Sequence, residues 1–120
     1  MEAAAQSPDV LHVAELEIRP RDGLVLAAGR VLTLSVRELG VLAALALQED
    51  RIVSRAELYR LVWGGELREG DRSVDVYVHK LRQKLEAALP ARSFIHTHVG
   101  FGYRFSPEPS RVFHNSTTSR

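Results

Sequence analysis

Residues 72–88 restrict the fold more than any other segment of this chain. Val74, Tyr77, Val78, Leu81 and Leu85 recur at three- and four-residue spacing, and at about 100° per residue that spacing gathers them on one side of a helix. Asp71 stands in front of the segment as an N-cap and Pro90 ends it. With Val74 set at zero, Arg72, Val76, His79 and Gln83 fall between about 140° and 200°, opposite the apolar stripe, and Lys80 and Arg82 lie on the flanks. Between residues 72 and 84 four cations face one acid, Asp75. A helix of this kind buries one side and turns a face of donors to solvent, so the remaining residues must supply the core it docks on.

Their hydrophobic period shows how. Residues 13–34 hold short runs in which Ala14, Leu16 and Ile18 alternate with Glu15 and Glu17, with Asp22-Gly23 and Ala28-Gly29 as turns. This predicts an antiparallel meander with one wet face. The period then lengthens: Val36, Leu39, Ala43 and Ala46 follow helical spacing, Leu42 and Leu45 widen the stripe, and Ser35 with Glu38 forms a capping box, predicting a first helix to about Gln48. Ile52-Val53 is a brief extended link. Ser54 and Glu57 repeat the capping box for a shorter second helix that stops at Gly64-Gly65. Residues 64–70 are a loop, and after the third helix Phe94-Ile95-His96-Thr97-His98-Val99, Gly100-Phe101-Gly102 and Tyr103-Arg104-Phe105 predict a hairpin with a glycine-rich tip. The expected class is α+β: a winged helix-turn-helix with an N-terminal antiparallel sheet, three helices and a C-terminal β-hairpin wing. Residues 10–106 form the domain, with flexible tails at 1–9 and 107–120.

Composition narrows the function. The chain has 120 residues, one domain's worth, and no cysteine, which removes disulfides, thiol nucleophiles and cysteine-based zinc sites. The longest apolar run, residues 41–47, is far short of a membrane span, and the N-terminus has no apolar signal core, so the cytoplasm is the expected compartment and no membrane partner is expected. The net charge of +1 conceals an asymmetry: residues 1–50 carry four Arg against eight acids, whereas residues 51–120 carry twelve cations against seven acids. A basic half built around a donor-faced helix suits a polyanion.

Other chemistries fit less well. His96 and His98 share a strand face, but a structural zinc needs about four ligands, so no metal is expected. Ser73, Asp75 and His79 imitate a catalytic list, yet one helix cannot set them as nucleophile, base and orienter, and an Asp75–His79 ion pair is the expected reading. The glycine pairs lack a P-loop lysine. No enzyme activity and no cofactor are expected, and Trp63 is read as a core anchor.

Trp63-Gly64, Asp71-Arg72-Ser73-Val74-Asp75-Val76-Tyr77-Val78, Leu81-Arg82-Gln83-Lys84-Leu85 and Gly100-Phe101-Gly102-Tyr103-Arg104-Phe105, in this order and spacing, resemble the OmpR/PhoB family of winged-helix effector domains over nearly the whole ordered chain. The resemblance implies a bacterial transcription factor of two-component response-regulator type that binds double-stranded DNA at tandem direct repeats, head to tail. Its third helix would enter the major groove and its wing the adjacent minor groove. It also implies Arg72, Ser73 and Arg82 as phosphate contacts, His79 and Lys80 as groove-facing donors, and Val76 as a contact for a thymine methyl. Lys80 suits base reading because lysine can donate to guanine O6 and N7. Tyr77 straddles core and phosphate, and Gln83 and Lys84 complete the donor face. The loop residues Glu66, Leu67, Arg68 and Glu69 are implied as a contact for RNA polymerase. Where the family commonly has an arginine before the first wing glycine this chain has Val99, which leaves Thr97, His98 and Arg104 as the wing's DNA contacts. The competing reading is a winged-helix module for protein–protein interaction or dimerisation without specific DNA binding.

Overall fold

The computed structural model describes residues 9–110, so the tails expected at 1–9 and 107–120 fall mostly outside the described residues. Within them the order is β1 (Leu11–Val13), β2 (Leu16–Arg19), β3 (Leu24–Ala27), β4 (Arg30–Val31), α1 (Val36–Ala46), β5 (Ile52–Val53), α2 (Arg55–Trp63), α3 (Ser73–Ala88), β6 (Arg92–His98) and β7 (Gly102–Pro109). This is the expected winged helix-turn-helix.

The meander forms an antiparallel sheet in the order β1-β2-β3-β4, and its two-residue period turns Val13, Leu16, Ile18, Val25 and Ala27 into the core. Ala14 is not a strand residue as its alternation suggested. It turns the chain between β1 and β2 with φ 53°, just as Ala28 (φ 53°) and Gly29 (φ 81°) turn it between β3 and β4.

At the start of α1 both bonds of the capping box are present: Ser35 Oγ accepts from Glu38 N at 3.1 Å, and Glu38 Oε1 accepts from Ser35 N at 2.8 Å. The buried face, however, is Glu38, Val41, Leu42, Leu45 and Ala46, while Val36 is 91% exposed. The stripe is rotated from the expected one because the capped Glu38 is drawn inward. At α2 Ser54 accepts from Glu57 N at 3.1 Å, and the reciprocal Glu57 bond is not formed among the described residues. Gly64, in the left-handed region at φ 89°, closes that helix. α3 begins one residue later than expected, with Arg72 in the N-cap position. The Asp71 carboxylate nevertheless performs the capping, accepting from Ser73 N at 2.9 Å and from Ser73 Oγ at 2.6 Å. Val74, Val78, Leu81 and Leu85 of α3 are buried, and Tyr77 is half-buried.

The wing is larger than a hairpin. Ile52-Val53, expected as a link, pairs antiparallel with β7 (Ile52 opposite Arg104, Val53 opposite Tyr103), so the second sheet runs β5-β7-β6. β7 continues to Pro109, past the boundary expected at residue 106, because Ser93 and Arg92 pair with Glu108 and Pro109. Gly102 permits the junction: its φ is +143°, and a Cβ there would sit 2.1 Å from the carbonyl oxygen of Val53.

Candidate nucleic-acid interface

The helix-turn-helix sets α3 on α1 and α2 through its buried stripe, which leaves Arg72, Val76, His79, Lys80 and Gln83 exposed on the opposite side. They lie together as the sequence implied. A shallow cleft of about 370 Å³ along this face is lined by Arg72, Asp75, Val76, His79 and Lys80. Val76 is 46% exposed. Lys80 is held over the Tyr77 ring, 4.9 Å from its centroid, and Tyr77 in turn meets Trp63 edge-on at 5.6 Å. Trp63 is half-buried rather than a deep anchor. It stacks on Tyr59 at 5.1 Å and carries the Arg37 guanidinium 4.8 Å from its centroid. The ladder props the cationic end of Lys80 from beneath.

Asp75 does not pair with His79. Its carboxylate meets Arg55 Nε at 3.2 Å and Arg72 Nε at 3.4 Å, and accepts the hydroxyl hydrogen bond of Tyr103 from the wing. Burial, followed by the hydrogen bond to Asp75 and its charge, pushes the Tyr103 hydroxyl up to about 12. Arg55 was not singled out in the sequence, and Tyr103 was read there only as part of the hairpin motif, without a role at the site. The available signal was Asp75 itself: an acid within a face of cations calls for partners from neighbouring elements.

Three expected contacts are committed elsewhere. Lys84 Nζ lies 2.7 Å from Oε1 of the buried Glu38 and 3.3 Å from the Thr33 carbonyl, so its charge serves the packing of α3 on α1. Burial raises the Glu38 carboxyl, but the hydrogen bonds from Lys84 and Ser35 and the Lys84 charge outweigh it and hold the group below its ordinary value. Arg82 reaches the wing: Nε donates to the Ile95 carbonyl at 3.1 Å and Nη2 to Thr97 Oγ1 at 2.6 Å. Ser73 spends its hydroxyl on Asp71. On the wing, Arg104 Nε donates to His98 Nε2 at 3.0 Å, and its Nη2 lies 3.2 Å from Glu108. Thr97, His98 and Arg104 therefore all hold internal partners, whereas Val99 and Phe101 stand out at the tip, 88% and 72% exposed.

In the loop, Glu66, Arg68 and Glu69 are exposed and Leu67 is half-buried. His96 bonds the Ser106 carbonyl at 2.9 Å, and no group of three or more metal-ligating side chains occurs among the described residues. No helix among them is long and apolar enough to cross a membrane.

The geometry is shared with known proteins. A family model described as "Transcriptional regulatory protein, C terminal" matches residues 29–105. The alkaline phosphatase synthesis transcriptional regulatory protein SphR of Synechococcus elongatus is 35% identical over 100 residues, covering 83% of this chain and 39% of SphR. The chain thus spans about two fifths of the length of the curated relatives it matches. Among solved structures, the DNA-binding domain of CpxR from E. coli superposes with a TM-score of 0.74 at 29% identity, covering 81% of this chain and 95% of that one. The Klebsiella pneumoniae RstA DNA-binding domain, solved in complex with its RstA box, gives 0.73 at 30% identity, covering 81% and 96%.

Proposed function

Since this chain belongs to the OmpR/PhoB-type family of transcriptional regulatory protein C-terminal domains, we propose that it binds double-stranded DNA sequence-specifically to regulate bacterial transcription, with α3 in the major groove and the wing beside it. The observation that carries this is the outward face of α3, where Arg72, Val76, His79, Lys80 and Gln83 stand together over a fully packed core. A B-DNA major groove admits one helix, and a row of donors there reaches base edges and phosphates together. RstA, similar over most of this chain, was solved with DNA, which supports the same use of the surface here.

Roles divide along the geometry. Lys80, lifted by the Tyr77 ring, reads a base with His79 and Gln83 beside it, Val76 meets a thymine methyl, and Arg72 takes a phosphate. Arg82 acts on the DNA through the wing it holds. The family resemblance extends the proposal to tandem direct repeats occupied head to tail, to action in the cytoplasm, and to a loop, Glu66 to Glu69, that meets RNA polymerase. An adaptor module would present an apolar α3, whereas Val76 is the sole large apolar side chain exposed on α3.

Fluorescence anisotropy of the chain on duplexes selected from a random pool tests the reading. Log affinity should fall linearly with log salt, by about 0.9 per phosphate contacted. Lys80→Ala should relax preference at one base position, and Arg72→Ala should weaken all sequences and reduce the slope by about 1. Affinity that does not change with salt would remove DNA binding as the function.

A further inference from the structure

Asp75 is the one acid between residues 72 and 84, and it stands on the face proposed above for DNA. By charge alone a carboxylate there opposes a polyanion and lowers affinity. Its surroundings give it a second effect. The Asp75 side chain is 22% exposed and meets Arg55 Nε, from the start of α2, at 3.2 Å and Arg72 Nε, from the start of α3, at 3.4 Å. Among the described residues it is the only acid with which either guanidinium pairs. The carboxylate is itself fixed, because it accepts the hydroxyl hydrogen bond of the buried Tyr103, whose ring lies 5.6 Å from the Arg82 guanidinium.

The two guanidiniums held in this way border one cleft of about 310 Å³ together with Asp75 and Tyr103. Both are met at Nε, so the Nη groups of each can donate to a second acceptor. Their side chains are 47% and 75% exposed, and an exposed arginine without a partner samples many rotamers that binding must then freeze. Freezing one such side chain at an interface lowers affinity by roughly two- to tenfold. A fixed carboxylate that holds both restricts them on folding, before any ligand arrives. Resting on the DNA-binding reading above, we propose that Asp75 is a positioning residue that raises DNA affinity against the sign of its own charge, by holding Arg55 and Arg72 in place for backbone phosphates beside α3. Arg55 thereby joins the DNA face although it belongs to α2. Tyr103 acts one step further back, by fixing the carboxylate.

The test compares the parent chain, Asp75→Asn, Tyr103→Phe, the double variant Arg55→Ala/Arg72→Ala, and that double variant with Asp75→Asn added. All are titrated by fluorescence anisotropy on a pool-selected duplex between about 50 and 200 mM salt, with thermal melting to verify that each is folded. Asparagine keeps the shape and an oxygen to accept from Tyr103, and removes only the charge that holds the guanidiniums. Charge alone predicts tighter binding by Asp75→Asn. The expected result is the reverse, a roughly fivefold loss. The deficit should widen as salt rises, since the repulsion relieved is screened and the lost positioning is not. In the Arg55→Ala/Arg72→Ala background the same substitution has nothing to release, so affinity should hold or rise. Tyr103→Phe leaves the charge in place and should also weaken binding; if Asp75→Asn does not fold, parental affinity of Tyr103→Phe would overturn the proposal. Asp75→Asn binding as tightly as the parent or tighter, or an equal loss in both backgrounds, would overturn the positioning role while leaving DNA binding in place. A parent chain that selects no duplex from the pool would overturn the DNA reading and the positioning role with it.

Discussion

Replacing Lys84 by Met separates the structural account of this residue from its expected role on DNA. Glu38 is 4% exposed, and Lys84 Nζ approaches its Oε1 at 2.7 Å. Removing one member of a fully buried pair costs about 3–5 kcal/mol, whereas an exposed pair contributes about 0–1 kcal/mol. The Lys84 side chain is 41% exposed, and Glu38 keeps the Ser35 N–H at 2.8 Å, so the loss belongs between these limits, about 2 kcal/mol. In a domain of this size that lowers Tm by roughly 10 °C. Because the folded Glu38 carboxyl lies below its ordinary value, its ionised form stabilises the fold fully above the unfolded value of about 4.3, and this contribution is lost as pH falls through the folded value. Lys84→Met should flatten that acid limb. Differential scanning calorimetry from about pH 3 to 7, paired with anisotropy on selected DNA, gives both readouts. The DNA salt slope should match the parent. If Lys84→Met melts like the parent and lowers the slope by about 0.9, Lys84 contacts a phosphate and the packing argument is wrong.

Further outcomes follow from the wing and loop. Tyr103→Phe removes the hydroxyl held by Asp75 and should cost about 1–2 kcal/mol in denaturant titrations. In the parent, the raised Tyr103 hydroxyl stabilises the fold below the unfolded value of about 10, and this is lost as pH rises towards 12, so the alkaline limb of a stability profile should shorten in the variant. Gly102→Ala should destabilise by about 3 kcal/mol or more, since a Cβ would meet the Val53 carbonyl oxygen at 2.1 Å, whereas Gly23→Ala meets open space and bears only the left-handed backbone penalty of about 1 kcal/mol. Equal chemical denaturation of the two would contradict the close approach. Replacing Glu66, Arg68 and Glu69 together by Ala should leave DNA affinity unchanged and reduce activated transcription in a reconstituted system; undiminished output would leave the loop a connector.

What the sequence disclosed was local. Ser35 and Glu38 stand three residues apart, as do Ser54 and Glu57, and at both places that spacing located the helix start, although only the first pair forms both bonds of the box. The stripe of α3 is equally local, and four of its five members are buried, with Tyr77 half so. What escaped was long-range. Lys84 and Glu38 are 46 positions apart, and helical geometry could say only that Lys84 was a cation on a basic helix. Arg82 and Thr97 meet across 15 positions, and Asp75 and Tyr103 across 28. Periodicity also chose the wrong centre for α1, because Glu38 counts as polar in any pattern although its charge is compensated by a lysine from another helix. Ile52-Val53 was too short to declare itself a strand and became one only through β7.

Because β5 pairs with the central strand of the wing sheet, the wing is fastened to the segment between the first two helices as well as to the third. Domain and wing therefore work as a fixed calliper whose two jaws, α3 and the tip at Phe101, keep one opening. Under the DNA reading proposed above such a tool would measure as well as grip: the number of base pairs between the sequence read by α3 and the stretch of duplex met by the wing would be set by the protein's own bracing. A spacer lengthened by one base pair must then be absorbed by twisting the duplex.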